Sequence, residues 1–338
     1  MENDTNVVLS VKNLQTKFRV GKKTVHAVND VSIDLKYGKT LGLVGESGCG
    51  KSVTALSVMQ LLPKAGFIAG GSIEYKDRFG VSSDISKFKR NGKDIRAIRG
   101  KEIAMIFQDP MSSLNPVYRI GSQIAENLFL HEKINKNEAR KRVIEMLAEL
   151  GIPMPEERYN SYPHEFSGGM RQRVMIAMAM ICNPNILIAD EPTTALDVTI
   201  QAQILELMKE VQKKYGTSII LITHNMGIVA ETCDDVSVMY MGNIVEYGNL
   251  EQIFNDPLHP YTKALLESVP ILGIDNDEEL KSIRGVTPDA SEIFEGCSFE
   301  PRCDDACAIC KTKPPQNVVS EDGHLVRCHL YSKGVKNG

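Results

Sequence analysis

Apolar stretches long enough to cross a lipid bilayer are absent from the sequence. The longest, Val174–Cys182, spans nine residues, whereas a membrane-spanning helix needs about 20. The segment Met1–Asn6 is polar and acidic, so it lacks the basic and apolar regions of a secretory signal. These absences predict a chain that does not itself span a membrane and that stays in the cytoplasm.

An excess of positive charge is absent as well. The 338 residues include 39 Lys and Arg against 43 Asp and Glu, a formal net charge of −4. Because general nucleic-acid binders present a basic face, this balance argues against that class. The shares of hydrophobic residues (42%) and charged residues (24%) are typical of a globular protein. The length predicts one large domain with an appendage, or two domains.

The amino-terminal hundred residues predict a sheet, followed by a strand, a turn and a helix. Residues 7–35 alternate apolar and polar, as antiparallel strands with one solvent-facing side do. Thr40–Val44 predicts a short strand, and the helix that follows over Ser52–Leu62 is stopped by Pro63. Residues 74–100 are charged and contain glycine, which predicts a surface excursion.

The middle of the chain predicts a helical block inserted into an α/β core. Asn135 and Glu138 resemble an N-terminal cap pair, and apolar residues then recur at helical spacing until Gly151. The predicted later strands are 103–107, 186–189, 218–222 and a hairpin of 236–240 with 244–247. The second and third are continuous apolar runs, as expected where helices cover both faces of a sheet.

A phosphate-binding loop is predicted between the strand that ends at Val44 and the helix that follows. The pattern of Gly, four residues, then Gly-Lys-Ser is formed by Gly45, Glu46, Ser47, Gly48, Cys49, Gly50, Lys51 and Ser52. Its glycines let N–H groups converge on the β-phosphate, Lys51 reaches the β- and γ-phosphates, and Ser52 offers its hydroxyl to Mg²⁺. The alternative is a glycine-rich turn without a ligand, which the flanking strand and helix disfavour.

Two acidic residues, Asp190 and Glu191, follow the predicted strand 186–189. Ligands of α/β proteins bind at the carboxyl ends of strands, where Asp190 can hold the Mg²⁺ shell. Glu191 can orient and polarise an attacking water. The alternative is a solvated strand end before Pro192, but the phosphate loop requires an acidic partner of this kind.

Residues 7–255 resemble the ATP-binding-cassette (ABC) ATPases. The most specific element is Phe-Ser-Gly-Gly-Met at 166–170, which is similar to the family signature Leu-Ser-Gly-Gly-Gln with its first and last residues replaced. Ser167, Gly168 and Gly169 stand at the start of a predicted helix, a natural anion site. In isolation these three residues would be a helix cap and a turn.

Further residues match other ABC elements in order. Gln108 is similar to the Q-loop residue that touches Mg²⁺ and relays to the membrane subunits, Asp197 to the D-loop residue, and His224 to the switch histidine. Phe18 is a candidate to stack on adenine, although many strand aromatics belong to the core. The resemblance implies as catalytic residues Glu191, His224 and Gln108, and as the residues around Mg²⁺ Ser52, Gln108 and Asp190.

The resemblance implies an α/β fold of the P-loop ABC type. It consists of a parallel sheet core, an antiparallel β subdomain and an inserted helical subdomain at about 109–180. The ABC domain is expected at 1–255 and a small Cys-rich extension at 256–338. The resemblance also implies a head-to-tail dimer, in which the loop 45–52 of one subunit and the Ser167 segment of the other enclose one ATP. Binding then closes the dimer and hydrolysis opens it.

Three stretches are similar to importer ATPases for dipeptides, oligopeptides, nickel and related solutes: 106–116, 189–199 and 259–262. The implied partners are a second, paralogous ATPase, two transmembrane permease subunits and an extracytoplasmic solute-binding protein, with no nucleic acid. The chain is expected at the cytoplasmic face of the membrane. The sequence does not identify which of these solutes is the cargo. Alternatives are a separately encoded exporter ATPase, or a DNA-repair or translation ATPase, which the single cassette and short helical block disfavour.

Five of the eight cysteines fall between Cys297 and Cys328. Those that are similar to the cysteine-rich tail of peptide-permease subunits are Cys297, Cys303, Cys310 and Cys328, while Cys307 lies outside that spacing. Thiolates bind Zn²⁺ or an iron-sulfur cluster. The resemblance favours a structural 4Fe-4S cluster, with Zn²⁺ and free thiols as alternatives.

Overall fold

The computed structural model describes residues 6–108, 113–194, 196–268, 283–289, 291–292 and 294–332. The chain divides into two compact units. The first unit consists of Met1–Leu9, Leu35–Lys39 and Tyr75–Ile222, and the second of Ser10–Asp34, Thr40–Glu74 and Thr223–Gly338. Within the described ranges, no helix is long and apolar enough to cross a membrane.

Strands and helices are numbered here in chain order. The strands are β1 (Val7–Val20), β2 (Lys23–Lys36), β3 (Thr40–Val44), β4 (Gly66–Lys76), β5 (Ser82–Asp84), β6 (Ile103–Ile106), β7 (Ile186–Asp190), β8 (Ser218–Thr223), β9 (Asp235–Tyr240), β10 (Asn243–Asn249), β11 (Val318–Val319) and β12 (Leu325–Val326). The α-helices are α1 (Lys51–Val58), α2 (Lys93–Ile98), α3 (Ile120–His131), α4 (Lys136–Glu149), α5 (Pro155–Arg158), α6 (Gly168–Met180), α7 (Val198–Tyr215), α8 (Met226–Thr232), α9 (Leu250–Asn255), α10 (Pro260–Glu267) and α11 (Ala308–Thr312).

The second unit contains a mixed sheet with the strand order β11-β12-β10-β9-β3. β3 runs parallel to β9, with Val44 opposite Val238. β9 and β10 form the predicted antiparallel hairpin. β12, from the extension, pairs antiparallel with β10 and places Val326 opposite Glu246. Residues of the extension therefore enlarge the same sheet from which the phosphate loop emerges.

A further sheet of the second unit is formed by the parts of β2, β1 and β4 that belong to this unit, in that order. Val11 and Leu14 of β1 are buried, as are Val31 and Ile33 of β2. The two buried residues of β2 lie two positions apart, so they face the same side of the strand. This pattern confirms the predicted strands with one apolar face.

Three parallel strands of the first unit lie in the order β8-β7-β6. Every residue of β7 and β8 is buried, as predicted for strands covered on both faces. Because parallel strands end at the same edge of a sheet, β6 and β7 deliver Gln108 and Asp190 to one edge.

The helices α3 to α6 of the first unit pack against one another and form the predicted helical block. α4 begins after Asn135, whose side chain accepts hydrogen bonds from the N–H groups two and three residues further on, the interaction of an N-cap. Its buried residues recur at helical spacing: Ala139, Val143, Met146 and Leu147. Gly151, with φ +69, then ends the segment because it adopts the left-handed conformation at little cost.

The structure differs from the sequence prediction at several places. The helix predicted over Ser52–Leu62 ends at Val58, because Gln60 has φ +52 and a left-handed residue cannot continue an α-helix. The excursion 74–100 contains β5 and α2. The domain boundary after residue 255 stays a prediction. Residues 109–112 and 195 of the quoted stretches lie outside the described residues, as do 269–282 and 333–338 of the extension.

Candidate active site

The loop 45–52 joins β3 to α1, and two of its glycines are sterically required. Gly45 has φ +148 and Gly50, which precedes α1, has φ +109. A Cβ atom on Gly45 would lie 2.1 Å from the Met239 carbonyl oxygen, and one on Gly50 would lie 2.5 Å from that of Ala27. Both obstacles are backbone atoms. The loop is therefore a close-packed turn leading into a helix N-terminus, the form that binds phosphate groups.

Lys51 of this loop is the first residue of α1. Its side chain is buried, and Nζ donates hydrogen bonds to the carbonyl oxygens of Gly45 (2.7 Å) and Glu46 (3.0 Å). An ammonium group in this position can transfer its hydrogen bonds to phosphate oxygens. Ser52 follows in the first turn of α1 and is half-buried. Burial raises the pKa of Cys49, so this thiol stays neutral and serves as a packing residue.

Tyr261 and Arg302, both beyond position 255, contact the phosphate loop, and sequence reasoning did not assign either to the site. The Glu46 N–H donates to the Tyr261 hydroxyl oxygen at 2.8 Å. The Glu46 carboxylate accepts hydrogen bonds from Arg302. Tyr261 lies in the stretch 259–262, and Arg302 precedes Cys303. Their membership of family-like stretches was the available signal, but it carried no information about what they contact.

In the first unit, Glu191 lies one residue beyond β7 in a left-handed backbone conformation. Its φ is +47, a value that costs a non-glycine residue about 1–3 kcal/mol. Its N–H donates to the Ile222 carbonyl oxygen at 2.9 Å, which holds this conformation against β8. Strained residues of this kind concentrate at active sites.

Among the described residues, the side chains of Gln108 and Thr194 orient the Glu191 carboxylate. Gln108 Nε2 and Thr194 Oγ1 each donate to Glu191 Oε2 at 2.9 Å. Asp190, the preceding residue, is buried. The structure therefore brings Gln108, Asp190 and Glu191 together at the ends of β6 and β7, as predicted. Sequence reasoning missed Thr194, whose hydroxyl three residues after the carboxylate was the available signal.

The signature segment Ser167–Gly169 forms the N-terminus of α6. Ser167 Oγ accepts a hydrogen bond from the N–H three residues further on (3.3 Å), so it caps the helix. Ser167 is nevertheless exposed. A Cβ atom on Gly169 would lie 2.8 Å from Ile200 Cγ2, which explains the glycine there. Phe166, in place of the family's Leu, is buried, so this replacement changes the core and leaves the exposed residues as they are.

The remaining predicted residues are divided between the two units. Asp197 of the first unit caps α7, since its Oδ1 accepts from the Ile200 N–H at 3.0 Å. His224 of the second unit is exposed directly after β8. Phe18, also of the second unit, packs against β4, where a Cβ atom on Gly66 would lie 2.7 Å from its ring. The expected contacts of His224 with the γ-phosphate and of Phe18 with adenine stay predictions.

The five cysteines of the extension are free thiols of the second unit. The Sγ atoms of Cys307 and Cys310 are 3.3 Å apart, and the Cys297 N–H donates to the Cys310 carbonyl oxygen. Cys307, outside the family spacing, is therefore a neighbour of the predicted ligands. Burial raises the pKa of Cys303 to about 12. Among the described residues, no group of three or more His, Cys, Asp or Glu side chains is placed to hold a metal ion.

Comparison with known proteins assigns the chain to a family. Residues 28–194 match the ABC transporter family model, and residues 245–310 match the C-terminal region of oligopeptide/dipeptide transporters. The dipeptide transport ATP-binding protein DppD of Bacillus subtilis (strain 168) is 51% identical over 98% of this chain and 96% of that protein. This chain belongs to the ABC transporter ATP-binding proteins. The oligopeptide transport ATP-binding protein OppD of the same organism is 52% identical, over 96% of this chain and 88% of that protein.

A solved structure supports the fold of this ABC ATPase. The dimeric ATP-binding cassette MJ0796 in a post-hydrolysis state, bound to ADP and Pi, matches with a TM-score of 0.62 and 24% identity, over 72% of this chain and 98% of that one. The predicted α/β fold of the P-loop ABC type is confirmed. As a member of this family, the protein binds and hydrolyses ATP, and the family uses Mg²⁺ with it.

Proposed function

We propose that this ABC ATPase energises the import of dipeptides or oligopeptides. The observation that carries the proposal is the match over nearly the whole chain to relatives named for dipeptide and oligopeptide transport, together with the match of residues 245–310 to the C-terminal region of such transporters. The proposed partners are a paralogous ATPase subunit, two transmembrane permease subunits and an extracytoplasmic solute-binding protein. The proposed location is the cytoplasmic face of the membrane.

Within the ATP site, Lys51 and the N–H groups of the loop bind the β- and γ-phosphates. Ser52, Gln108 and Asp190 would hold Mg²⁺, which would neutralise charge on the phosphates. Glu191 orients the attacking water and accepts a proton from it. The two hydrogen bonds to Glu191 Oε2 support this role. They hold Oε2 in place, and this fixes the direction in which Oε1 points. His224 contacts the γ-phosphate.

The second half of each site comes from the partner ATPase. Ser167, Gly168 and Gly169 of one subunit bind the γ-phosphate held by the loop 45–52 of the other. The exposed position of Ser167 at the start of a 13-residue helix supports this role, since a helix N-terminus attracts anions. Asp197, at the start of α7, lies at the same dimer interface.

The transport proposal is tested on the complex that co-purifies with this chain from membranes. We expect a second ATPase and two permease subunits in the complex. After reconstitution into liposomes, the binding protein loaded with a dipeptide or a pentapeptide should stimulate ATP hydrolysis and drive peptide uptake. Uptake of Ni²⁺ without peptide uptake would support the nickel alternative and contradict the peptide proposal. DNA-repair or ribosomal proteins in place of permease subunits would contradict transport itself.

We also propose that Cys297, Cys303, Cys310 and Cys328 hold a structural 4Fe-4S cluster. Thiolates are the usual ligands of such clusters. The four thiols are free, and three of them, Cys297, Cys303 and Cys310, lie within the match to the C-terminal region of oligopeptide/dipeptide transporters. The sulfur ligands of a 4Fe-4S cluster lie further apart than those of a single metal ion. Anaerobic purification with iron, sulfide and zinc assays is the test: a colourless protein that contains zinc and no iron would refute the cluster.

A further inference from the structure

Arg302 of the extension forms a paired interaction with the phosphate loop. Its Nη1 donates to Glu46 Oε2 at 2.6 Å and its Nη2 donates to Glu46 Oε1 at 3.0 Å. The Arg302 side chain is 4% exposed and that of Glu46 is 24% exposed. Two parallel N–H···O bonds from a guanidinium are the strongest and most directional form of an ion pair. The pair is therefore a fixed feature of the loop.

The Nε donor of Arg302 is engaged as well. Nε donates to the Arg284 carbonyl oxygen at 2.8 Å. The guanidinium carbon lies 5.8 Å from the centre of the Tyr240 ring, at the distance of a cation–π contact. The hydrogen bonds to Glu46 raise the pKa of Arg302, so the group is charged at every relevant pH. The extension thus holds one permanent positive charge against the loop.

The charge of Glu46 makes this contact important for nucleotide binding. Glu46 is the second residue of the loop whose N–H groups converge on phosphate, and Lys51 donates to its carbonyl oxygen. An unpaired carboxylate on this loop repels a bound triphosphate, because like charges repel at short distance. Without a counter-ion, Glu46 would oppose the function of its own loop.

Tyr261 fixes the backbone at the same residue. The Glu46 N–H donates to the Tyr261 hydroxyl, so this N–H is directed to the extension. Tyr261 is fully buried and contacts Tyr240 and Phe299, with ring centres at 4.7 and 5.3 Å. Both the side chain and the N–H of Glu46 are therefore held by residues beyond position 255.

We propose that Arg302 is a positioning residue of the ATP site, which neutralises Glu46 and holds it away from the bound triphosphate. The extension then sets the affinity of the cassette for ATP through this ion pair. The inference rests on the proposed role of the loop 45–52 as the phosphate site. It assigns to the extension an action on nucleotide binding that does not depend on which cargo is carried or on what the cysteines hold.

The test measures dissociation constants for ATP and ADP on the full chain by fluorescence titration. Arg302→Met should raise the ATP dissociation constant about tenfold and that of ADP less, because ADP carries less charge. Arg284→Met is the matched control, since Arg284 belongs to the same extension and its side chain is 77% exposed in an ion pair with Asp304. This control should bind both nucleotides like the wild type.

Removal of the carboxylate separates neutralisation from a merely structural role. Glu46→Gln added to Arg302→Met should recover most of the lost ATP affinity, because the repelling charge is gone. Glu46→Gln alone should bind ATP about threefold more tightly, since Arg302 is then uncompensated. Glu46→Gln alone also tests the proposal if Arg302→Met does not fold. The melting temperature of each protein is measured, and the titrations are run well below it so that folded proteins are compared.

The inference is wrong if Arg302→Met binds ATP like Arg284→Met. It is equally wrong if Glu46→Gln fails to recover ATP affinity when added to Arg302→Met. It is also wrong if Arg302→Met weakens the binding of ATP and of ADP by the same factor. Lys51→Ala distinguishes these failures from failure of the proposed ATP site. If Lys51→Ala loses ATP binding while Arg302→Met does not, only the role of Arg302 falls. If Lys51→Ala binds ATP normally, the phosphate site itself is misassigned.

Discussion

Glu191 accepts a hydrogen bond from Gln108 at 2.9 Å, although the two residues follow different strands. Gln108 comes after β6 and Glu191 after β7, and the two strands are parallel neighbours. The contact places a neutral amide donor on the carboxylate proposed to act on water. An amide can orient a carboxylate without competing for its proton, which is the arrangement that a general base requires.

Glu191→Gln should retain ATP binding and lose turnover. The substitution keeps the shape of the side chain but removes the oxygen charge that accepts a proton, so kcat should fall at least 100-fold and the closed dimer should accumulate with ATP. Single-turnover hydrolysis and gel filtration with ATP are the measurements. Glu206→Gln, on an exposed position of α7, serves as control. Turnover close to that of the wild type would rule out Glu191 as the base.

Gln108→Ala should lower kcat about tenfold with a smaller change in KM, because the carboxylate loses one of its orienting donors. Thr194→Val removes the other donor to the same oxygen and should lower kcat by a comparable factor. The double substitution should be worse than either alone. Steady-state kinetics of the four proteins checks this, and an unchanged kcat in both single variants would show that the hydrogen bonds do not serve catalysis.

Gly45→Ala should destabilise the protein strongly. The new methyl group would meet the Met239 carbonyl oxygen at 2.1 Å, and φ +148 is a value that L residues rarely adopt. We expect a loss of at least about 3 kcal/mol in the free energy of unfolding. Gly38→Ala is the control, since Gly38 also has a positive φ but no atom within 4 Å of the added Cβ, and it should cost about 1 kcal/mol. Urea denaturation measures both, and equal losses would contradict the steric account.

His259 should make stability dependent on pH. Burial lowers the pKa of His259 from 6.5 to about 3. Between these values the unfolded chain binds a proton that the folded chain does not, so stability falls as the pH drops below about 6.5. From pH 7 to pH 5 this contribution is about 2 kcal/mol.

Urea denaturation at both pH values tests this dependence. His259→Asn removes the titrating ring but offers an oxygen that can accept the Tyr261 N–H in place of Nδ1, so its loss between pH 7 and pH 5 should be smaller by about 2 kcal/mol. His164→Asn, at an exposed position, should behave like the wild type. The same pH dependence in all three proteins would assign it to other groups.

The elements that the sequence predicted well are those that depend on local chemistry. The cap at Asn135 and the stop at Gly151 bound α4 as expected, because the side chain and the positive φ act on their own helix. The continuous apolar runs of β7 and β8 became fully buried strands, since such runs are stable only between two covering layers. The predicted end of α1 relied on one helix-breaking residue, Pro63, and α1 ended earlier, at Val58.

The sequence by itself determined the phosphate loop, the acidic residues at the end of β7 and the serine-glycine start of α6, because each needs residue types at a fixed short spacing. Only the tertiary structure decided which side chains act on them. Arg302 and Glu46 are 256 residues apart in the chain, and Gln108 and Glu191 are 83 apart. Contacts between residues so far apart in the chain follow from the packing of sheets and helices, which no local pattern encodes. The contact of Arg302 with the phosphate loop therefore became visible only in the folded chain.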